Sequence, residues 1–168
     1  MLRTMNLSDL QTILEIKFKD EKILAQALTH RSFLNEDKSA KTSNERLEFL
    51  GDSVLSLLTS TEIYKRFPEM AEGKLTNLRS ILVRTETLAK VATTLEFGKF
   101  LFLSKGEEKE GGRTNISLLA DMFEAVLGAI YLDQGLETAG KFLAKHLFSQ
   151  IDSVTTSGES YDYKSRLQ

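Results

Sequence analysis

The sequence predicts an all-α fold. Two observations carry that expectation: apolar residues recur at three- and four-residue steps through long segments, and a single proline, Pro68, interrupts them. The 168 residues, 41% of them hydrophobic, suffice for one globular domain with a substantial core.

In chain order, Ser8 and Asp9 offer N-cap and first-turn chemistry for a short helix through Leu14 to Phe18. Asp20 then caps EKILAQALTH, a second amphipathic helix ending near His30. Residues 31–43, RSFLNEDKSAKTS, are polar and read as a loop. Ser43 or Asn44 serves as N-cap for a long helix that continues through TSTEIYKRF and stops before Pro68. Gly73 marks a break, after which Leu75, Leu78, Ile81 and Leu82 form another stripe. Thr85 caps ETLAKVATTLEF, which Gly98 closes. KFLFLSKGEEKEGGRTN is a short apolar piece followed by a charged, glycine-rich loop. A large apolar helix covers residues 116–132 and ends at Asp133 and Gly135; one more amphipathic helix, 136–151, precedes a polar tail.

Composition narrows the function. The absence of cysteine excludes disulfides and thiolate metal sites and fits a reducing, cytoplasmic location. The start, MLRTMNLSDL, lacks the apolar core of a signal peptide, and no run of about 18 apolar residues occurs, so a soluble protein with no membrane partner is expected. A net charge of −2 is not the global basicity of a typical nucleic-acid binder. A cluster of metal-binding carboxylates lowers that total, however, while a basic rim still engages phosphates.

The chemistry concentrates in residues 44–55, NERLEFLGDSVL. Leu47, Leu50, Val54 and Leu58 form a helical stripe that Phe49 and Leu57 widen. Glu45, Glu48 and Asp52 stand at i, i+3 and i+7, on one helix face with neighbouring Cβ atoms roughly 5–6 Å apart, where like charges repel. Arg46 is one residue off that face, and no Lys or Arg lies at i+3 or i+4 from Glu48 or Asp52. The triplet is either a solvated acidic face or the seat of a divalent cation. The flanking apolar run VLSLL favours the cation. So does Gly51, since glycine inside a helix costs roughly 1 kcal/mol relative to alanine and signals close approach by another backbone or a ligand.

A second pair, Asp121 and Glu124, holds the only charges between Leu118 and Leu132. Unpaired carboxylates in an apolar setting are unfavourable. Either Arg79 or Arg84 pairs with them, or they form a half-site that meets Glu48 and Asp52 across a helix pair. The two acid-bearing helices echo each other: apolar residues, two carboxylates, then glycine. Four hard oxygen donors without His or Cys suit Mg²⁺, with Mn²⁺ as a substitute. A carboxylate-bridged di-iron bundle is excluded, because neither His30 nor His146 follows a Glu by three. Serine and cysteine nucleophile schemes lack their elbow and their thiol, and no P-loop occurs. Metal-assisted hydrolysis remains. His30 reads as a helix-end histidine that can also hydrogen-bond near the acids, His146 as surface or packing, and Phe97, Phe100 and Phe102 as core.

These residues also resemble a known family. NERLEFLGDSVL is similar to the signature of the ribonuclease III endonucleases, and LADMFEAVLGAIYLD to that family's second block; THRS at 29–32, FPEMAEGKLTNLRSILV at 67–83 and GEEKEGG at 106–112 follow in the expected order. The resemblance covers about residues 5–150. It implies an all-helical endonuclease domain over 1–153 that forms a two-fold homodimer, with 154–168 as linker and the first turn of a double-stranded-RNA-binding domain. It places metal ligands on Glu48, Asp52, Asp121 and Glu124, with Asp52 and Glu124 catalytic. Glu45 and Glu72 become auxiliary acids, and Phe49 a knob inserted into the partner subunit. The implied reaction is Mg²⁺-dependent cleavage of double-stranded RNA to 5′-phosphate, 3′-hydroxyl products with two-nucleotide 3′ overhangs, in rRNA and mRNA processing. Lys74, Arg79 and Arg113 are candidate RNA contacts, although the loop after Gly112 has fewer basic residues than is common in the family. The other reading is a non-cleaving RNA-binding dimer on the same fold, which gains nothing from retaining mutually repelling acids.

Overall fold

Helix α7 (Ile116–Gln134) forms the axis of the molecule. Its Met122, Phe123, Ala125, Val126, Leu127, Ala129 and Ile130 are all fully buried, as expected of a helix apolar on nearly every side. Around it pack α2 (Glu21–Ala27), α3 (Glu45–Arg66), α5 (Thr85–Thr94) and α8 (Leu136–His146), while α1 (Leu7–Leu14) rests on α2 and α4 (Glu72–Leu82) on α3. The short α6 (Lys105–Lys109) and a 3₁₀ turn at Gly112–Thr114 lead into α7. The structure is a computed structural model and describes residues 7–37 and 40–152; the expected boundary at 153/154 and the tail that follows lie outside them. Among the described residues the only extended pairing is an isolated parallel bridge, Thr29–Phe102, and the fold is all-α. No described helix is long and apolar enough to cross a membrane.

Several element ends differ from expectation, each for a local reason. The first helix stops at Leu14 rather than running on to Phe18, because Glu15 turns into the left-handed region at φ 55°. The Asp20 cap forms, its carboxylate accepting the Lys22 N–H at 2.9 Å. That helix ends at Ala27, since Thr29 and His30 leave it to pair with Phe102. Asn44 occupies the cap position of α3 with a helical φ of −74° and makes no side-chain cap bond. Gly73 is not a break; it lies in the first turn of α4, after Ala71. Arg84, not Thr85, is the residue before α5, and Glu96 at φ 56° makes the turn expected of Gly98. Gly98 is instead required by contact, since a Cβ there would stand 2.1 Å from the Arg113 carbonyl oxygen. The last helix stops at His146 and gives way to a 3₁₀ turn at Phe148–Gln150.

Phe97 and Phe100 are buried, as expected of core residues, and Phe102 is partly buried against the core. Phe49 and Leu57 do not widen the buried stripe of α3. With Tyr64 they form a separate outward strip, 78%, 54% and 72% exposed in the order Phe49, Leu57, Tyr64.

Candidate metal centre

Helices α3 and α7 cross at two glycines. A Cβ built on Gly51 would stand 1.8 Å from the Glu124 carbonyl oxygen, and one on Gly128 would stand 2.3 Å from that of Leu47. The backbones therefore touch, and the close approach expected at Gly51 is made by the residue that carries Glu124. The acids lie close to these glycines: Glu48 one turn before Gly51 and Asp52 directly after it on α3, Glu124 and Asp121 one and two turns before Gly128 on α7. The crossing brings these four into one electrostatic cluster.

The cluster is read from its carboxyls. Burial pushes Glu124 up to about 8, and Asp52, Glu48 and Asp121 add to the rise. Burial also raises Glu48, reinforced by Asp121, Glu45 and Asp52. Asp121 is raised by burial, and His30 opposes the shift. None of the four takes a hydrogen bond or ion pair from another described side chain. The expected alternative, pairing with Arg79 or Arg84, is not what the fold builds: Arg79 Nη1 donates to Ser60 Oγ at 3.1 Å, and Arg84 Nε lies 4.0 Å from Glu86. Among the described residues no three Asp, Glu or His side chains converge at metal-ligand spacing, so the four are electrostatically joined without forming a closed cage.

The other predicted residues distribute unevenly. Glu45 accepts from Ser43 Oγ at 2.7 Å and lies 3.6 Å from Arg31 Nη1, on the cluster's edge. Glu72 accepts from Thr76 Oγ1 within its own helix at 2.9 Å. Lys74 is exposed on α4. Arg113 is bound into its own loop, with Nη1 donating to the carbonyls of Gly98 at 2.8 Å and Leu101 at 3.0 Å and Nε donating to Glu108 at 2.7 Å. His146 packs on Phe142 with ring centroids 5.0 Å apart, and burial holds its pKa below the usual value.

Residues 20–151 match the family model described as ribonuclease-III-like. The chain belongs to the ribonuclease III family. Ribonuclease 3 of Geobacillus kaustophilus is 47% identical over 167 residues, covering 99% of this chain and 68% of its own length. That of Enterococcus faecalis is 51% identical over 154 residues, covering 91% and 66%. The chain thus spans about two thirds of the length of these curated relatives. A solved structure of the ribonuclease III nuclease domain from Campylobacter jejuni, described for flexibility in a region involved in dimer formation, matches with a TM-score of 0.80 at 41% identity, covering 86% of this chain and 97% of that one. As a member of this family, the chain is a ribonuclease III endonuclease, and the α3–α7 crossing is its candidate centre.

Proposed function

We propose that this ribonuclease III hydrolyses double-stranded RNA at the α3–α7 crossing with Mg²⁺, Mn²⁺ serving as a substitute. The observation that carries the reading is the set of four carboxylates held together, Glu48, Asp121 and Glu124 partly buried and Asp52 exposed, without a basic side-chain partner. The donor set fits Mg²⁺, which takes oxygen ligands, keeps several waters and binds through one or two carboxylates, so a closed cage is not required. Glu48, Asp52, Asp121 and Glu124 would hold it. When bound, Mg²⁺ supplies a lowered pKa for water and charge neutralisation at the phosphodiester. Glu124, at about 8, keeps a proton on its carboxyl at neutral pH and gives it up as positive charge arrives. Asp52 is exposed on the solvent side of α3, where a duplex phosphate can approach.

Glu45 acts as an auxiliary acid at the rim of the cluster, and Glu72 as one that assists from another part of the dimer. Of the three candidate RNA contacts, Lys74 is the exposed one and Arg79 and Arg113 are partly buried, and we assign phosphate contact to all three. The strip of Phe49, Leu57 and Tyr64 is an apolar face of the kind that marks protein interaction sites. We assign it to a two-fold homodimer with Phe49 as the knob. Two centres cutting one strand each then leave 5′-phosphate, 3′-hydroxyl ends and two-nucleotide 3′ overhangs, in cytoplasmic rRNA and mRNA processing.

The test is cleavage of long, perfectly paired RNA with Mg²⁺, with EDTA, and with Glu124→Gln. Fragments that vanish in both controls support the nuclease reading. Absence of cleavage at low salt and high enzyme concentration, with a retained gel shift, points to a non-cleaving RNA-binding dimer.

A further inference from the structure

A short turn beside the acidic start of α3 carries a guanidinium whose hydrogen-bonding capacity is unused. Residues Arg31–Asn35 form a 3₁₀ turn whose backbone is held by several elements. The Asn44 N–H, at the start of α3, donates to the Thr29 carbonyl at 2.8 Å, and the His30 N–H donates to the Phe102 carbonyl at 3.1 Å. His30 Nδ1 accepts the Ser32 N–H at 3.3 Å, and Ser32 Oγ accepts the Ser104 N–H at 3.1 Å. Just past the turn, Glu36 accepts the Lys105 N–H at 2.7 Å. The turn is fixed, but the Arg31 side chain that leaves it is 73% exposed. Its ion-pair partner is Glu45, with Nη1 standing 3.6 Å from Oε1, beyond hydrogen-bond length. Among the described residues no acceptor takes any of its five side-chain N–H donors.

Glu45 opens the acidic face of α3, one turn from Glu48 and about 10 Å along the axis from Asp52. Bracing Glu45 is a poor account of the arginine, because exposed ion pairs stabilise little and Glu45 already accepts from Ser43 Oγ at 2.7 Å. Arg46 stands about 100° round the helix from Glu45, off that face. A polyanionic duplex that approaches the carboxylates is repelled by them, and a fixed positive charge at the rim offsets that repulsion. A guanidinium fork also matches two phosphate oxygens at once. We propose that Arg31 is a phosphate contact of the duplex substrate: paired with Glu45 in the free protein, its guanidinium grips an RNA phosphate at the rim of the carboxylate cluster. The proposal rests on the nuclease reading above and adds to it the side chain that seats the substrate beside the acids.

The test is binding to a fluorescently labelled, perfectly paired RNA with Mg²⁺ across a range of KCl concentrations, in the Glu124→Gln background so that the RNA stays whole. Arg31→Ala should weaken binding about tenfold and lower the slope of log K against log salt by about 1, the mark of one lost phosphate contact. Arg31→Lys should keep the slope but recover only part of the affinity, since it keeps the charge and loses the fork. With Glu124 intact, Arg31→Ala should raise KM for duplex RNA with little change in kcat, and its thermal stability should match that of wild type. A role confined to holding Glu45 is separated by repeating Arg31→Ala in Glu45→Gln: a phosphate contact is lost there too, whereas a brace has nothing left to lose. The proposal is overturned by an unchanged salt slope in Arg31→Ala, by an effect that disappears in the Glu45→Gln background, or by no binding of duplex RNA at all. A wild type that binds duplex RNA through Arg31 without cutting it would sink the nuclease reading alone. Cleavage by wild type with an unchanged slope in Arg31→Ala would sink the role of Arg31 alone.

Discussion

The middle and the C-terminal end of α7 carry carboxylates that the fold treats in opposite ways. At the C-terminal end, Asp133 accepts the Lys19 N–H on Oδ2 and the Asp20 N–H on Oδ1, each at 2.9 Å, and Gln134 Nε2 reaches the Lys17 carbonyl at 3.0 Å. Burial works against the charge there, but the two backbone donors, the Gln134 side-chain amide and the Lys19 charge together hold Asp133 below the usual carboxylate range. About three turns away, Asp121 and Glu124 have no donor side chain, and burial drives both upward. Asp133 is a staple that closes the α1–α2 linker onto α7. The other two are acids that the fold buries without donor side chains, and they are the acids to which the proposal assigns an external cation.

The sharpest way to break this contrast is to neutralise one acid at each place. Glu124→Gln should take cleavage of long duplex RNA below detection, while Asp133→Asn should leave the cleavage rate per folded molecule unchanged. Next in size is the crossing itself. Gly51→Ala forces a methyl against the Glu124 backbone and should cost about 3 kcal/mol in denaturant unfolding. Gly140→Ala, whose Cβ would meet nothing nearer than Leu58 Cδ2 at 3.7 Å, should be stabilising by up to about 1 kcal/mol. Smaller again is the stability cost of Asp133→Asn, about 1 kcal/mol from hydrogen bonds that a neutral amide makes less well.

The smallest effects are slopes of stability against pH, and Glu124 and Asp133 give them opposite signs. Glu124 binds its proton more tightly folded than unfolded, so its contribution is fully present below about pH 4.5 and is lost as pH rises to about 8. Asp133 binds its proton less tightly folded, so its contribution is present above the ordinary aspartate value of 3.8 and is lost as pH falls below it. Thermal melts of the metal-free protein should lose the first slope in Glu124→Gln and the second in Asp133→Asn. Unaltered slopes in both variants would break the contrast.

The acidic centre was legible in the sequence because helical spacing is local: i, i+3 carboxylates and a costly glycine can be seen within one segment. Their meeting followed from the echo between the two helices. The ends of α1 and α5 were not legible, because Glu15 and Glu96 take left-handed conformations that glutamate rarely adopts and nothing nearby announces it. Nor was the role of Arg113, whose three acceptors become neighbours only after the loop folds back on Gly98 and Leu101. His30 fell between these cases. Its position before a polar loop was visible, but its partner Ser32 is itself held by the Ser104 N–H, 72 residues further along the chain.

The central claim is that the acids at the α3–α7 crossing await a divalent cation whereas Asp133 does not. Thermal stability at pH 7, with and without Mg²⁺, tests it directly in wild type, Glu124→Gln and Asp133→Asn. The account predicts that Mg²⁺ raises the Tm of wild type and Asp133→Asn by the same amount and leaves Glu124→Gln nearly unmoved. An equal Mg²⁺ response in all three proteins, or none in wild type, would contradict it.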